Sequence, residues 1–286
     1  MNPSTPKANP ARAALIGFAL LAPFLSLALW FALGANLYLA LAPLLLSHLL
    51  LLYATLVPGC QWWGPAFTGF DTATREVWIT IDDGPSPVHT LRMLDILARY
   101  DARATFFVIG ARAEEYPHLI TEILTRGHAV ANHTYSHHCR TFWCASTRGV
   151  RRELDRCAET LRTTPERRAN FFRAPVGIKN PFVHPALARR GLQLIAWTAR
   201  GLDTVKRDSV KVAARIAERA EPGAIILLHE GHHTKRDPEF GPRCLELTLQ
   251  RLAALGYRFV IPSPEQLRTR RSLSPRPLTP ALSAGK

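Results

Sequence analysis

The chain has 286 residues, enough for a domain of about 200 residues with additions, and for a full core without disulfide staples. Apolar residues make up 47% of it, which excludes global disorder. Its net charge of +14 fits two kinds of partner, nucleic acid or an anionic membrane surface.

The charge is unevenly placed. All 22 acids lie between Asp71 and Glu265, whereas residues 13–57 carry no charge at all. Two apolar runs of 21 residues, 13–33 and 37–57, flank Gly34-Ala35-Asn36. At about 1.5 Å of rise per residue each reaches roughly 30 Å, the thickness of a hydrocarbon core. Trp62 and Trp63 follow the second run, where interfacial aromatics sit. The first run is long for the apolar part of a signal peptide and lacks an A-x-A cleavage site. The reading is a basic tail over 1–12, two transmembrane helices over 13–57 and a linker over 58–75. Lys7 and Arg12 precede the first span, so the positive-inside rule places the N-terminus in the cytoplasm. Two crossings then return the large domain to the cytoplasmic side; a periplasmic or extracellular domain is the alternative.

Beyond the linker, seven short β-branched or aromatic runs read as strands: 77–81, 104–109, 128–132, 170–173, 193–197, 224–229 and 257–261. Segments of helical period lie between them, marked by Leu91 and Leu94, Leu119 and Ile123, Leu154 and Cys157, Val212 and Ile216, and Leu245 and Leu249. Gly127, Gly191 and Gly256 stand where helices stop. Alternating strand and helix predicts an α/β fold, an incomplete seven-stranded (β/α) barrel preceded by the helical pair. The tail over 266–286 reads as basic and disordered. The five cysteines are odd in number and form no C-x-x-C pair, so they read as reduced, buried thiols.

Five of the strands end in ionisable groups: Asp82-Asp83, His133 with His137, Arg173, Arg200 with Asp203, and His229. In α/β barrels the strand C-termini share one face, where active sites are built. Taken singly, each has a bland reading. The two aspartates suit a solvated turn before Gly84-Pro85 as well as a functional pair. His133 and His137, four apart, suit a helical turn that chelates a metal or a His-rich surface loop. His229 is a capped core histidine or a catalytic one. Arg148, Arg151, Arg152, Arg156, Arg162, Arg167 and Arg168 form a basic stretch whose bland reading is a solvated helix face partly balanced by Glu153, Asp155 and Glu159. Together, two His and one carboxylate give the ligand count of a catalytic metal site, with a free carboxylate and a second His as base and acid.

From about Glu76 to Ile261 the chain resembles the polysaccharide deacetylases, carbohydrate esterase family 4 with a NodB-homology domain. The resemblance rests on Thr80-Ile81-Asp82-Asp83-Gly84-Pro85, His133-Thr134-Tyr135-Ser136-His137, Arg173-Ala174-Pro175 and Leu227-Leu228-His229, in that order. It implies a catalytic domain over 76–265 and a hydrolase acting on carbon–nitrogen bonds other than peptide bonds. It implies that Asp83, His133 and His137 hold a divalent metal, zinc above all. Asp82 would be the general base, Arg173 its holder, His229 the general acid and Asp203 the carboxylate that tunes it. Leu227 would line the acyl pocket, Trp197 is a candidate substrate-binding residue, and the Val176 N–H would face the oxyanion. The pattern departs at the fourth motif: Thr204 stands where a Trp is usual, and Arg200 where an acid is usual. A cation at Arg200 favours an anionic substrate.

The expected function is a membrane-anchored, metal-dependent removal of an N-acetyl group from an amino sugar, on a glycan or a phosphorylated or lipid-linked glycolipid. The alternatives are an extracytoplasmic deacetylase of cell-wall or capsular polysaccharide and an inactive carbohydrate-binding domain. No motif supports nucleic acid, so the membrane is the expected partner of the positive charge.

Overall fold

A computed structural model describes residues 9–161 and 168–269. The greater part of the basic tail, with Arg162 and Arg167, lies outside the described residues.

The chain opens with an antiparallel pair of helices, α1 (Pro10–Phe31) and α2 (Leu37–Leu56). Both are long and apolar enough to cross a membrane, and only 11% and 22% of their most apolar windows is buried. That exposure separates them from core helices of a soluble protein. Asn9 caps α1, and its amide also donates to the carbonyls of Gln61 and Trp62. Leu15, Ala54, Cys60 and Trp63 pack together beneath, so the start of α1 and the end of α2 share one base.

The sheet follows. Its strands are β1 (Phe67–Phe70), β2 (Glu76–Gly84), β3 (Ala104–Val108), β4 (Ala129–Asn132), β5 (Arg168–Phe172), β6 (Gln193–Leu194), β7 (Ala199–Arg200), β8 (Ala224–His229), β9 (Arg258–Phe259) and β10 (Leu267–Thr269). The order is β10-β1-β8-β2-β3-β4-β5-β6, with β7 on β8 and β9 on β2. The pairs running from β8 through β6 are parallel; β1 is antiparallel to both β8 and β10. A bridge from Phe67 to Ile195 brings β1 against the far end of the curved sheet. The fold is the expected α/β barrel, and β1 fills the gap in its wall.

Helices α3 (Thr90–Arg99), α4 (Gly110–Glu115), α5 (Pro117–Thr125), α6 (Thr147–Thr160), α7 (Val183–Ala188), α8 (Ser209–Ala217) and α9 (Phe240–Ala254) surround the barrel. Alternation along β2 builds two cores. Val77, Ile79 and Ile81 face the helices, while Trp78 packs inward with Phe107, Phe171 and Ile225. Thr80 lies inward too and is fully buried, where its hydroxyl donates to the Ile226 carbonyl.

Four expectations need correction. The tail does not begin at residue 266, because Leu267–Thr269 pairs with β1, a strand inside the expected linker. Residues 133–137 form no helical turn; Thr134 and His137 both take left-handed backbone angles. Cys139 and Cys144 are exposed, although all five thiols are free. Glu153 is no solvated balance for the arginines of α6, since it is buried.

Candidate active site

The parallel register assembles the site. Asp82 pairs with His229 across β2 and β8, and Thr80 pairs with Leu227 two residues below. Asp82, Asp83, His133, Arg173 and His229 all sit at strand C-termini, on the rim where barrel active sites lie.

Arg173 is fully buried inside the barrel. Its Nη1 donates to Asp82 Oδ1 at 2.6 Å and to Thr80 Oγ1 at 2.8 Å. Nε and Nη2 donate to the carbonyls of Ile195 and Ala196, and the guanidinium lies 4.2 Å from the Phe107 ring centroid. A buried guanidinium with these donors satisfied is locked in place, and it fixes Asp82 with it.

Asp83 turns the other way because its φ is 71°. Its Oδ1 lies 3.2 Å from His133 Nε2 and 3.1 Å from His137 Nε2. One donor atom from each of the three residues falls within 4.8 Å of the others. His133 Nδ1 donates to the Arg173 carbonyl, which leaves its Nε2 lone pair facing Asp83. Asp83 Oδ1 is buried and without a hydrogen-bond partner. An orphaned carboxylate oxygen among two imidazole nitrogens fits a divalent metal. Burial opposes the charge on Asp83, but the surrounding His133, His232 and His137 outweigh it and hold its pKa well below the usual value. Burial pulls His137 down to about 4, so its ring is neutral, as a ligand requires.

The loop carrying these histidines is held from α6. Glu153 accepts from the N–H groups of Tyr135 and Ser136 and from the Ser136 hydroxyl. Asn132 accepts from the Thr134 N–H and donates to the Leu154 carbonyl.

His229 faces Asp203. Its Nδ1 donates to Asp203 Oδ1 at 2.9 Å, and its N–H to Oδ2 at 2.7 Å. Burial disfavours the imidazolium, yet the Asp203 charge and hydrogen bond prevail and push the pKa up to about 9. His229 is therefore a cation at neutral pH, with Nε2 free of Asp203.

Left-handed backbone clusters here. Seven non-glycine residues have φ above zero among the described residues, and Asp83, Thr134, His137, Val176, Leu202 and His233 border this site. Val176, at φ 49°, is β-branched and more than half exposed. Such strain survives only where surrounding contacts impose it, and it gathers at functional sites.

The other expected residues divide. Leu227 is buried on the inner face beside His229. The Trp197 ring centroid lies 5.9 Å from the Arg173 guanidinium. Arg200 is exposed and does not join the cluster; it stacks 5.5 Å from the Trp197 centroid.

Three further residues belong to the site and are not expected from sequence. His232 Nε2 stands 2.6 Å from Asp83 Oδ2. Arg112 donates to the Asp83 carbonyl. Glu230 is fully buried behind Gly84 and accepts from Thr90 Oγ1 at 2.6 Å. The run Glu230-Gly231-His232-His233 was a signal of sorts, an ionisable cluster directly after a strand end.

Comparison with known proteins agrees with this geometry. Residues 70–195 match the family model described as polysaccharide deacetylase. A chitooligosaccharide deacetylase of Sinorhizobium fredii is 37% identical over 161 residues, 56% of this chain and 74% of that protein. The chain belongs to the polysaccharide deacetylase family. A peptidoglycan-N-acetylglucosamine deacetylase of Bacillus cereus is 30% identical, over 65% of this chain and 85% of that protein. Among solved structures, a peptidoglycan N-acetylglucosamine deacetylase superposes with a TM-score of 0.61 at 27% identity, covering 68% of this chain and 89% of that one. A family 4 carbohydrate esterase from Streptomyces lividans gives 0.60 at 25% identity, covering 68% and 97%. As a polysaccharide deacetylase, the chain is a hydrolase acting on carbon–nitrogen bonds by amide deacetylation.

Proposed function

We propose that the chain removes the N-acetyl group of an amino-sugar glycan or glycolipid, using a divalent metal, zinc in particular, while anchored in a membrane by α1 and α2. The observation that carries this reading is the register that sets Asp82, gripped by Arg173, beside His229, gripped by Asp203, with Asp83, His133 and His137 alongside.

Asp83, His133 and His137 would hold the metal, which supplies Lewis acidity toward water and the amide carbonyl. Asp82 takes the proton of the attacking water. Its Arg173 partner keeps the carboxylate pointed at that water and leaves Oδ2 to act as base. His229 gives its proton to the departing amine nitrogen, and the Asp203 carboxylate stabilises the cation before that transfer. Leu227 and Trp197 wall the acyl methyl, and the Val176 N–H faces the developing oxyanion. The similar chitooligosaccharide and peptidoglycan deacetylases support an amino-sugar substrate. The full set of acid, base and ligand residues argues against an inactive binding domain.

Among the described residues, 18 of the 26 exposed large hydrophobics lie from Leu20 to Leu56, which supports anchoring of the 13–57 hairpin. The catalytic unit is then 76–265, extended by the β1 and β10 pair. Lys7 and Arg12 orient it toward the cytoplasm.

Purified chain with zinc should release acetate from N-acetylated amino-sugar oligomers, and Asp82→Asn should abolish release. Full activity in that variant rejects the mechanism. Alkaline phosphatase activity of a reporter fused after Lys286 rejects the cytoplasmic orientation.

A further inference from the structure

The end of α2 is built into the barrel. The Lys179 side chain is fully buried, and its Nζ donates to the carbonyls of Val57 at 2.7 Å and Pro58 at 3.0 Å. The Lys179 N–H donates to the Thr55 carbonyl, and Trp63 Nε1 to the Thr55 hydroxyl. Pro58 packs on Gly177 so closely that a Cβ there would lie 2.7 Å from its Cγ and 2.6 Å from the Trp197 ring. The hairpin is therefore joined directly to the turn that carries Val176.

A cavity of about 450 Å³ opens at this junction. Val57 and Pro58 form its hairpin side, and Thr68, Trp197, Arg200 and Glu221 its barrel side. Arg200 makes no ion pair among the described residues, and Glu221 makes none with it. Trp197 links the cavity to the reaction centre: its ring centroid lies 5.5 Å from the Arg200 guanidinium and 5.9 Å from that of Arg173, the partner of Asp82. Register gives the same relation. Arg200 pairs with Leu227 on β8, and His229 is two residues further on the same inner face, roughly 7 Å along the strand. The cavity thus combines an unpaired guanidinium suited to phosphate, an aromatic face suited to a sugar ring, and the foot of an apolar helix.

We infer that this cavity is the headgroup subsite for a phosphate-bearing amino-sugar lipid. The phosphate sits on Arg200, the sugar reaches past Trp197 toward Asp82 and His229, and the lipid chain leaves along α2 into the bilayer. The inference rests on the deacetylase reading above and narrows its substrate class to a membrane-held anionic glycolipid.

Binding separates the two ideas. Full-length Asp82→Asn protein in nanodiscs is titrated with an N-acetylglucosaminyl phospholipid, with an N-acetylglucosaminyl diacylglycerol that lacks phosphate, and with soluble N-acetylglucosamine 1-phosphate. The phospholipid is expected to bind at least tenfold tighter than either other ligand. Arg200→Ala should remove that preference, and Arg200→Lys should keep part of it. Equal binding of the two lipids, or an unchanged preference in Arg200→Ala, overturns the phosphate site. Soluble sugar phosphate binding as tightly as the phospholipid overturns the lipid assignment. Arg200-dependent binding without acetate release from the phospholipid by the native chain overturns the deacetylase reading and leaves the subsite standing.

Discussion

His232 Nε2 lies 2.6 Å from Asp83 Oδ2, so the carboxylate is held from the side away from His133 and His137. The hydrogen bond leaves Oδ1 turned toward the two imidazoles. Partners of this kind orient a ligating group, and their loss costs about 10–100-fold in metal affinity. His232→Ala should therefore weaken zinc binding by that order, measured by competition with a chromophoric chelator. His232→Gln, which can still donate, should recover part of it. Equal affinity in the native chain and His232→Ala would show that Asp83 needs no such support.

Glu230 couples the fold to pH. It is fully buried, and burial pushes its pKa up to about 8 against an ordinary 4.5, with the Thr90 hydrogen bond opposing. The folded chain keeps this proton where the unfolded chain has lost it. Stability from this group is thus greatest below pH 4.5 and declines as pH rises toward 8. Glu230→Gln keeps the shape and removes the titration. Its stability relative to the native chain should rise between pH 5 and pH 8, by ~1.4 kcal/mol per pH unit at most. Denaturant unfolding at the two pH values measures the difference, and a pH-independent difference refutes it.

If His229 is the general acid, as proposed, the Asp203 carboxylate should set the alkaline limit of activity. With His229 raised to about 9, the acid is present through neutral pH and is lost above that value. Asp203→Asn retains a hydrogen-bond acceptor for Nδ1 but removes the charge. The alkaline limb of kcat/KM should move at least one pH unit lower, with a smaller kcat at pH 8. An unmoved limb in this variant would assign the limb to another group.

Much of this site was legible because strand ends are easy to locate. Asp82, His133, Arg173 and His229 each follow an apolar run, and chain order alone placed them on one rim. What escaped the sequence lacked a period. β7 has two residues and β1 four, too short for an alternation to declare itself. His232 and Arg112 come from a loop and a six-residue helix, too short and irregular for spacing to show what they face. Charged neighbours on α6 disguise Glu153 in the sequence; its position on the helix face with Val150, Leu154 and Cys157 turns it inward. Four-residue spacing likewise describes a helix, whereas His133 and His137 meet through a bent loop.

Gly177 tests whether the foot of α2 and the site act as one unit. Its φ is +74°, and an added Cβ would strike Trp197 and Pro58 together. Gly177→Ala therefore meets both backbone strain and overpacking, with a cost of about 1–3 kcal/mol. The adjustment falls on Trp197, whose other neighbours are Arg173 and Arg200. The variant should unfold several degrees lower in detergent, and kcat should fall even where metal affinity is unchanged. Gly59→Ala makes a fair comparison, since its Cβ would meet only the Thr68 methyl at 3.3 Å. It sits at the same junction without touching Trp197, so its kcat should stay near that of the native chain. Equal losses of kcat in the two variants would mean that the junction matters only for stability.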